Sequence, residues 1–298
     1  MTDQPLNAWD ELETVGDYLR WMATKLSRAD VHYGHGTDNA WDEALALLCG
    51  RLGIAAEKVE FVLGAKLTGA ERRELVRLLE RRIVHHVPVP YLVGEAWFAG
   101  RRYLIEPGVL IPRSPIAELI TSEFAPWLGR FPDRILDLCT GSGCIGIACA
   151  HAFPYAEVVL SDIDDGALTL AARNVSLHRV GDRVSVARAD VFEGLDVSTF
   201  DLIVTNPPYV DALDLAALPT EYRHEPTRAL AAGDDGLDII RRILSGARRW
   251  LAEDGVLVGE VGSSADNLLV AFPELPFVWP ELQHGGHGVF VLEASGLS

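Results

Sequence analysis

Apolar positions recur at three- and four-residue steps in the first third of the chain. Beyond it they become short continuous runs. Leu12, Val15, Leu19, Met22 and Leu26 fall on one face of a helix. Tyr33-Gly34-His35-Gly36-Thr37-Asp38-Asn39 reads as a loop, and Asp38 or Asn39 is placed to cap a helix over Ala40 to Leu48. Thr68, with Glu71 three positions on, forms a capping box. The helix it opens buries Leu75, Leu78, Leu79 and Ile83. Arg72, Arg73, Arg77, Arg81 and Arg82 dominate its other face, interleaved with Glu71, Glu74 and Glu80, so that face reads as solvated and internally paired, with a recognition surface as the alternative. Pro88-Val89-Pro90 breaks the helical pattern. Tyr91 to Ile111 reads as extended, with turns at Gly94, Gly100 and Pro107-Gly108, which predicts one or two hairpins.

From Arg134 the pattern alternates. Strands are predicted at Ile135–Leu138, Glu157–Ser161, Val184–Val186, Asp201–Thr205 and Val256–Val261. Helices are predicted at Gly143–Phe153, Asp164–His178 and Leu237–Leu251. Phe277–Leu282 and Gly288–Leu292 read as closing strands joined by His284-Gly285-Gly286-His287. Such alternation implies an α/β fold: a mostly parallel sheet covered on both faces, with an antiparallel edge. The chain then divides into a helical domain over 1–90, a hairpin linker over 91–112 and an α/β domain over 113–298.

Composition narrows the setting. The 298 residues are 49% hydrophobic, enough for a large core. No apolar run reaches the roughly 18 residues of a membrane span. Met1-Thr2-Asp3-Gln4-Pro5 lacks the basic-then-apolar pattern of a signal peptide. Cys49, Cys139, Cys144 and Cys149 form no C-x-x-C pair and read as buried free thiols in a reducing cytoplasm, with no metal site. The net charge of −17 opposes binding of exposed nucleic acid; it permits encounter with a basic partner, though taken alone it reads as a solubility device.

The candidate chemistry lies at the strand ends. Asp137-Leu138-Cys139-Thr140-Gly141-Ser142-Gly143 occupies the first strand-to-helix turn, and Gly141, Gly143 and Gly146 spell G-x-G-x-x-G. Asp162 follows about 20 residues on, where a carboxylate holds a ribose diol. This much suits a dinucleotide or S-adenosylmethionine equally. Asp137 tips the balance, because a carboxylate before the turn suits an ammonium better than a pyrophosphate. Asp190-Val191-Phe192 follows the third strand, where Asp190 can accept from an adenine amino group and Phe192 offers apolar surface. The strand Asp201–Thr205 ends in Asn206-Pro207-Pro208-Tyr209. Neither proline has an N–H, so the loop offers acceptors and one flat ring. Its guest must bring N–H groups, as an amide or an exocyclic amine does. Pro112-Arg113-Ser114-Pro115 is a corner stiffened by two prolines, which holds Arg113. Glu225-Pro226 either closes the substrate pocket or leaves Glu225 paired with Arg223 or Arg228.

D-x-x-T-G-S-G, a ribose carboxylate and N-P-P-Y together resemble the class I methyltransferases that modify planar amide or amine nitrogens. The N-terminal helical domain, the hairpin linker and Pro112-Arg113-Ser114-Pro115 resemble the glutamine N(5)-methyltransferases among them. Three segments are similar to the branch acting on large-subunit ribosomal protein three: Tyr33 to Asn39, Ile111 to Ile120 and Glu221-Tyr222-Arg223-His224-Glu225-Pro226. The release-factor branch usually carries Pro-Arg-Pro followed by Asp-Thr-Glu, where this chain has Ser114-Pro115-Ile116-Ala117-Glu118. The resemblance implies a Rossmann-like, mostly parallel seven-stranded sheet. It implies S-adenosyl-L-methionine held by Asp137, Thr140, Gly141, Gly143, Asp162, Asp190, Val191 and Asn206. It implies catalysis by Asn206, Pro207 and Tyr209, and substrate contacts from Arg113, Asn206, Pro207, Pro208, Tyr209 and Glu225. The partner it implies is a basic ribosomal protein, with no direct nucleic-acid contact and no membrane. Four rival readings remain: a release-factor glutamine methyltransferase, an adenine amino-methyltransferase, a non-catalytic cofactor-binding assembly factor and a nicotinamide oxidoreductase.

Overall fold

The helical third begins where a side chain can cap it. In the computed structural model, which describes residues 11–283 and 285–297, α1 spans Val15–Leu26. Met1 to Pro5 and His284 of the closing turn lie outside the described residues. The Thr14 hydroxyl accepts from Asp17 N at 3.1 Å, and Asp17 returns an oxygen to Thr14 N at 3.0 Å. Asn39 caps α2 (Ala40–Leu52), which ends at Gly53 with φ +66. Thr68 and Glu71 form the expected capping box of α3 (Gly69–His85).

The proline triplet opens a short helix, α4 (Val89–Val93), instead of extended chain. Pro88 and Pro90 stand at the N-cap and in the first turn, where a helix has no use for the missing N–H groups. Arg82 also departs from the sequence reading, which placed it on a solvated face. It is 1% exposed. Its Nε donates to Glu43, Nη1 donates to Glu221 Oε1 at 2.9 Å and Nη2 donates to His32 O at 2.7 Å. Partners so distant in sequence leave no trace in a helical repeat. These residues belong to a first compact unit that runs to Ala96 and takes in Pro219–His224.

The chain enters the second unit, Trp97–Leu218 with Glu225–Ser298, within β1 (Glu95–Phe98). β1 pairs with β2 (Arg101–Leu104). Then follow α5 (Ile116–Thr121), β3 (Arg134–Leu138), α6 (Cys144–Ala152), β4 (Glu157–Asp162), α7 (Asp165–His178) and β5 (Val184–Arg188). β6 (Phe200–Thr205), α8 (Ala212–Ala217), α9 (Asp238–Trp250), β7 (Leu251–Glu260), α10 (Ala265–Ala271) and β8 (Val289–Glu293) complete it.

The main sheet has the order β5-β4-β3-β6-β7-β8. Its first five strands run parallel, and β8 pairs antiparallel with β7. Alternate residues feed two cores. Ile135, Leu160 and Val204 join one face; Leu136, Leu138 and Ile203 join the other. The seventh strand expected at Phe277–Leu282 is reduced to one bridge, Val278 against Val291. Pro276 and Pro280 bracket it and remove the donors a longer ladder needs.

Candidate active site

The chain order crosses from one half of the sheet to the other between β3 and β6, which are neighbours. In such sheets the crevice forms at the carboxyl ends of those two strands. The register Leu138↔Thr205 brings the turn after β3 level with the loop after β6. Thr205 Oγ1 donates to Leu138 O at 3.0 Å and locks the pair. A cavity of about 280 Å³ opens there, within the second unit.

The glycine turn is held by carboxylates from below. Asp137 is fully buried; its Oδ2 accepts from Thr140 Oγ1 at 2.5 Å and from Gly146 N at 2.8 Å. Its Oδ1 has no hydrogen-bond partner among the described residues. Burial pushes this carboxyl up to about 7, although the bonds from Thr140 and Gly146 oppose the rise. Gly141 turns with φ +55 and lines the cavity, where an added Cβ would meet only Val109, at 3.8 Å. Gly146 is required by close approach, since a Cβ there would lie 2.2 Å from Leu160 Cδ2. Gly143 heads α6 and faces Leu160 and Ala171 away from the cavity.

Asp162 ends β4 and lines the cavity. Its two oxygens accept from Gly141 N at 2.9 Å and Asp164 N at 3.0 Å, and burial raises its carboxyl above the ordinary value. Asp190 and Val191 line the cavity after β5. Val191 sits at φ +57, a costly conformation for a β-branched residue, and such strain gathers at functional loops. Phe192, expected to offer apolar surface there, instead stacks on Trp250 at 5.4 Å in the second core. The apolar lining includes Val191, Ile163 and Ile239. Arg242 donates to Asp190 Oδ1 at 2.8 Å, and Arg228 pairs with Asp164.

Asn206 follows β6 and lines the cavity, and its side-chain amide makes no hydrogen bond among the described residues. Pro208 lines the same wall, whereas Pro207 is buried behind it. Tyr209 lies outside the cavity lining; its hydroxyl donates to Glu260 Oε1 at 2.9 Å. Arg113 lines the cavity, and its guanidinium grips Glu225 through two bonds of 2.7 Å. Glu225 is buried and also accepts from Ile111 N at 3.0 Å. Glu225 therefore anchors Arg113 and the 111–113 backbone.

This arrangement can hold a donor-rich guest beside a nucleoside-sized one, and known proteins resemble the chain that carries it. The methyltransferase small domain matches residues 118–221. Ribosomal protein uL3 glutamine methyltransferase of Francisella tularensis is 44% identical over 285 residues, covering 95% of this chain and 91% of the relative. That of Bordetella pertussis is 43% identical over 295 residues, covering 98% and 99%. The chain belongs to the ribosomal protein uL3 glutamine methyltransferase family. Among solved structures, the hMettl16 catalytic domain in complex with MAT2A 3′UTR hairpin 6 superposes with a TM-score of 0.50. It is 16% identical and covers 75% of this chain and 80% of that one, a likeness of fold.

A methyl-donor cofactor that carries an ammonium, a ribose and an adenine fits the residues present. Asp137 Oδ1 is a buried acceptor with no partner among the described residues and lies behind the cavity lining, whereas Asp162, Val191 and Ile239 line the cavity itself. Residues that sequence reasoning missed hold these groups in place. Asn174, fully buried on α7, donates to Leu104 O at 3.1 Å and Ser142 O at 2.8 Å, tying the hairpin to the glycine turn. Glu260 takes the Ser114 hydroxyl at 2.5 Å besides that of Tyr209. A lone carboxylate closing the apolar run Val256–Val261 was its visible signal. Cys139 lines the cavity, but burial pushes its thiol up, so it is no nucleophile at neutral pH.

Proposed function

We propose that this protein transfers a methyl group from S-adenosylmethionine to the side-chain amide nitrogen of a glutamine in ribosomal protein uL3. The observation that carries the proposal is Asn206: an amide with no partner among the described residues, on the cavity wall, at the switch point, followed by two prolines. When bound, the cofactor supplies an electrophilic methyl group on a positively charged sulfur. A glutamine amide is a weak nucleophile because its lone pair is delocalised into the carbonyl. Asn206 Oδ1 and the Pro207 carbonyl accept its two N–H groups and aim the nitrogen at the methyl carbon. Tyr209 flanks the amide plane. Bound there, S-adenosylmethionine would supply its methyl group to that nitrogen and leave as S-adenosylhomocysteine, and the N-methylated amide would lose its extra proton to water. Positive charge grows on nitrogen in the transition state, so both acceptors bind it more strongly there. Alignment of this kind is worth about 7–11 kcal/mol in favourable cases.

Arg113 lines the substrate side, and Glu225 sets its direction. The net charge of −17 complements a basic ribosomal protein. No helix among the described residues is long and apolar enough to cross a membrane. The test is labelled S-adenosylmethionine with total ribosomal protein from a strain lacking the enzyme. Label should appear in uL3, on glutamine, and vanish with Asn206→Ala. Label confined to release factors, or found in nucleic acid, overturns the substrate.

A further inference from the structure

Glu260 carries a charge-bearing group into the protein interior at the carboxyl end of β7, where it is 4% exposed. Burial raises its carboxyl above the ordinary value, and the bonds from Ser114 and Tyr209 oppose that rise. As a contribution to stability alone, such a group is a poor choice, since an apolar side chain of similar size does as well or better. It does not line the cavity. What it does touch is informative. Oε2 accepts from Ser114 Oγ at 2.5 Å, and Oε1 accepts from the Tyr209 hydroxyl at 2.9 Å. Ser114 follows Arg113 in one loop of the cavity wall, and Tyr209 follows Pro208 in the other. One carboxylate is therefore the shared post of both loops.

The strand end around Glu260 is shaped for the same task. A Cβ at Gly262 would lie 2.4 Å from Tyr209 Cε2, so the Tyr209 ring rests on bare backbone two residues beyond the carboxylate. Ser264 Oγ donates to Tyr209 O at 2.7 Å. Ring, hydroxyl and carbonyl of Tyr209 are all fixed by residues 260–264. On the other side Ser114 Oγ also accepts from Ile116 N at 3.2 Å, which joins the corner to the start of α5.

We propose that Glu260 is a positioning residue for methyl transfer, holding the Asn206–Tyr209 loop and the Pro112–Pro115 corner at the spacing that a glutamine side chain requires. The inference rests on the methyl-transfer reading of the site. A carboxylate suits the role because it accepts two hydroxyl hydrogens at once, one on each oxygen. Its loss frees the Tyr209 ring edge and the Ser114 hydroxyl together, and a displacement of the order of 1 Å at a reacting group costs about 100-fold in rate.

The test compares wild type with Glu260→Ala, Glu260→Gln, Tyr209→Phe and Ser114→Ala. It measures kcat and KM on purified uL3, the Kd for S-adenosylhomocysteine, and the thermal midpoint. Glu260→Ala should lose about 100-fold in kcat and keep cofactor affinity within about twofold. Glu260→Gln still accepts from Tyr209 through its oxygen and donates to Ser114, so it should recover to within about tenfold of wild type. Glu260→Ala should cost little further in a Tyr209→Phe background, because the tether is already cut. A Glu260→Ala enzyme with normal kcat and a lowered midpoint overturns the proposal. So does equal loss of cofactor affinity and turnover. If Glu260→Ala fails to fold, the Gln variant with and without Tyr209→Phe decides: fully additive effects refute the tether. Wild type inactive on uL3 would instead refute the function proposed above.

Discussion

Asp137 offers a prediction that depends on the buried atom no neighbour satisfies. Burial holds its carboxyl near 7 instead of 3.8, which is worth roughly 4 kcal/mol between its two charge states. An ammonium beside Oδ1 would remove that penalty and return the group toward its ordinary value. At pH 7 the free protein holds about half a proton on Asp137, so cofactor binding should release about half a proton. The assay is calorimetry with S-adenosylhomocysteine at pH 7 in buffers of different ionisation enthalpy. Affinity should rise roughly tenfold from pH 6 to pH 8. In Asp137→Asn both the release and the pH dependence should disappear. Stability tests the same group without a ligand. Its folded-state value lies above its unfolded one, so its contribution is complete below 3.8 and is lost as pH rises through 7. Wild-type stability measured against Asp137→Asn by urea unfolding should therefore fall by roughly 2–3 kcal/mol between pH 5 and 8. No proton release at pH 7, or the same release in Asp137→Asn, would refute the placement of the ammonium.

Asn206→Ala should lower kcat on uL3 by roughly 100- to 1,000-fold, the usual cost of a lost transition-state hydrogen bond, while calorimetry finds the cofactor Kd unchanged. Asp162→Ala strips the acceptors from Gly141 N and Asp164 N. Cofactor affinity should then drop about 10- to 100-fold by calorimetry, and unchanged affinity removes Asp162 from the site. In the first unit, Glu221→Ala leaves Arg82 buried with half its charge partners and should cost about 3–5 kcal/mol in denaturant unfolding. Burial opposes the shift, but bonds from His32 N, Arg82 and His86 hold Glu221 down at about 2. The stability it lends is complete above 4.5 and lost as pH falls toward 2, so the acid limb of an unfolding titration should flatten in the variant.

Groups bonded to near neighbours in sequence were legible, and groups bonded to distant ones were not. The Thr68–Glu71 box, the glycine turn and the end of β6 are each written within a few residues, so pattern alone located them. Asp162 was found because the strand–helix–strand spacing is regular. The fate of Glu225 was undecidable from its neighbours Arg223 and Arg228, since its partner Arg113 lies 112 residues away. Arg82 was misread for the same reason, as its burial depends on Glu43 and Glu221. Phe192 was misread because an aromatic after a strand end can turn either way, and the close approach of Gly246 and Trp250 opened the inward route.

G-x-G-x-x-G suits two cofactor classes, and the hydrogen bonds of this turn distinguish them. A pyrophosphate needs the free N–H groups of such a turn and of the helix that follows it. Here three of those donors are already engaged. Gly141 N donates to Asp162, Gly143 N to Thr140 O, and Gly146 N to Asp137. Two of the three acceptors are carboxylates, so an incoming phosphate would meet negative charge where a dinucleotide site presents positive dipoles. Asp137 and Asp162 thus give the turn the opposite preference, toward a cation and hydroxyl donors. The other half of the site follows the same rule: Asn206 presents acceptors after β6, and Glu260 spends its own on the hydroxyls of Ser114 and Tyr209. A crevice with carboxylates and an amide oxygen at its strand ends suits guests that bring their own hydrogens. A sulfonium cofactor with an ammonium and a ribose diol is one such guest, and a primary amide is the other.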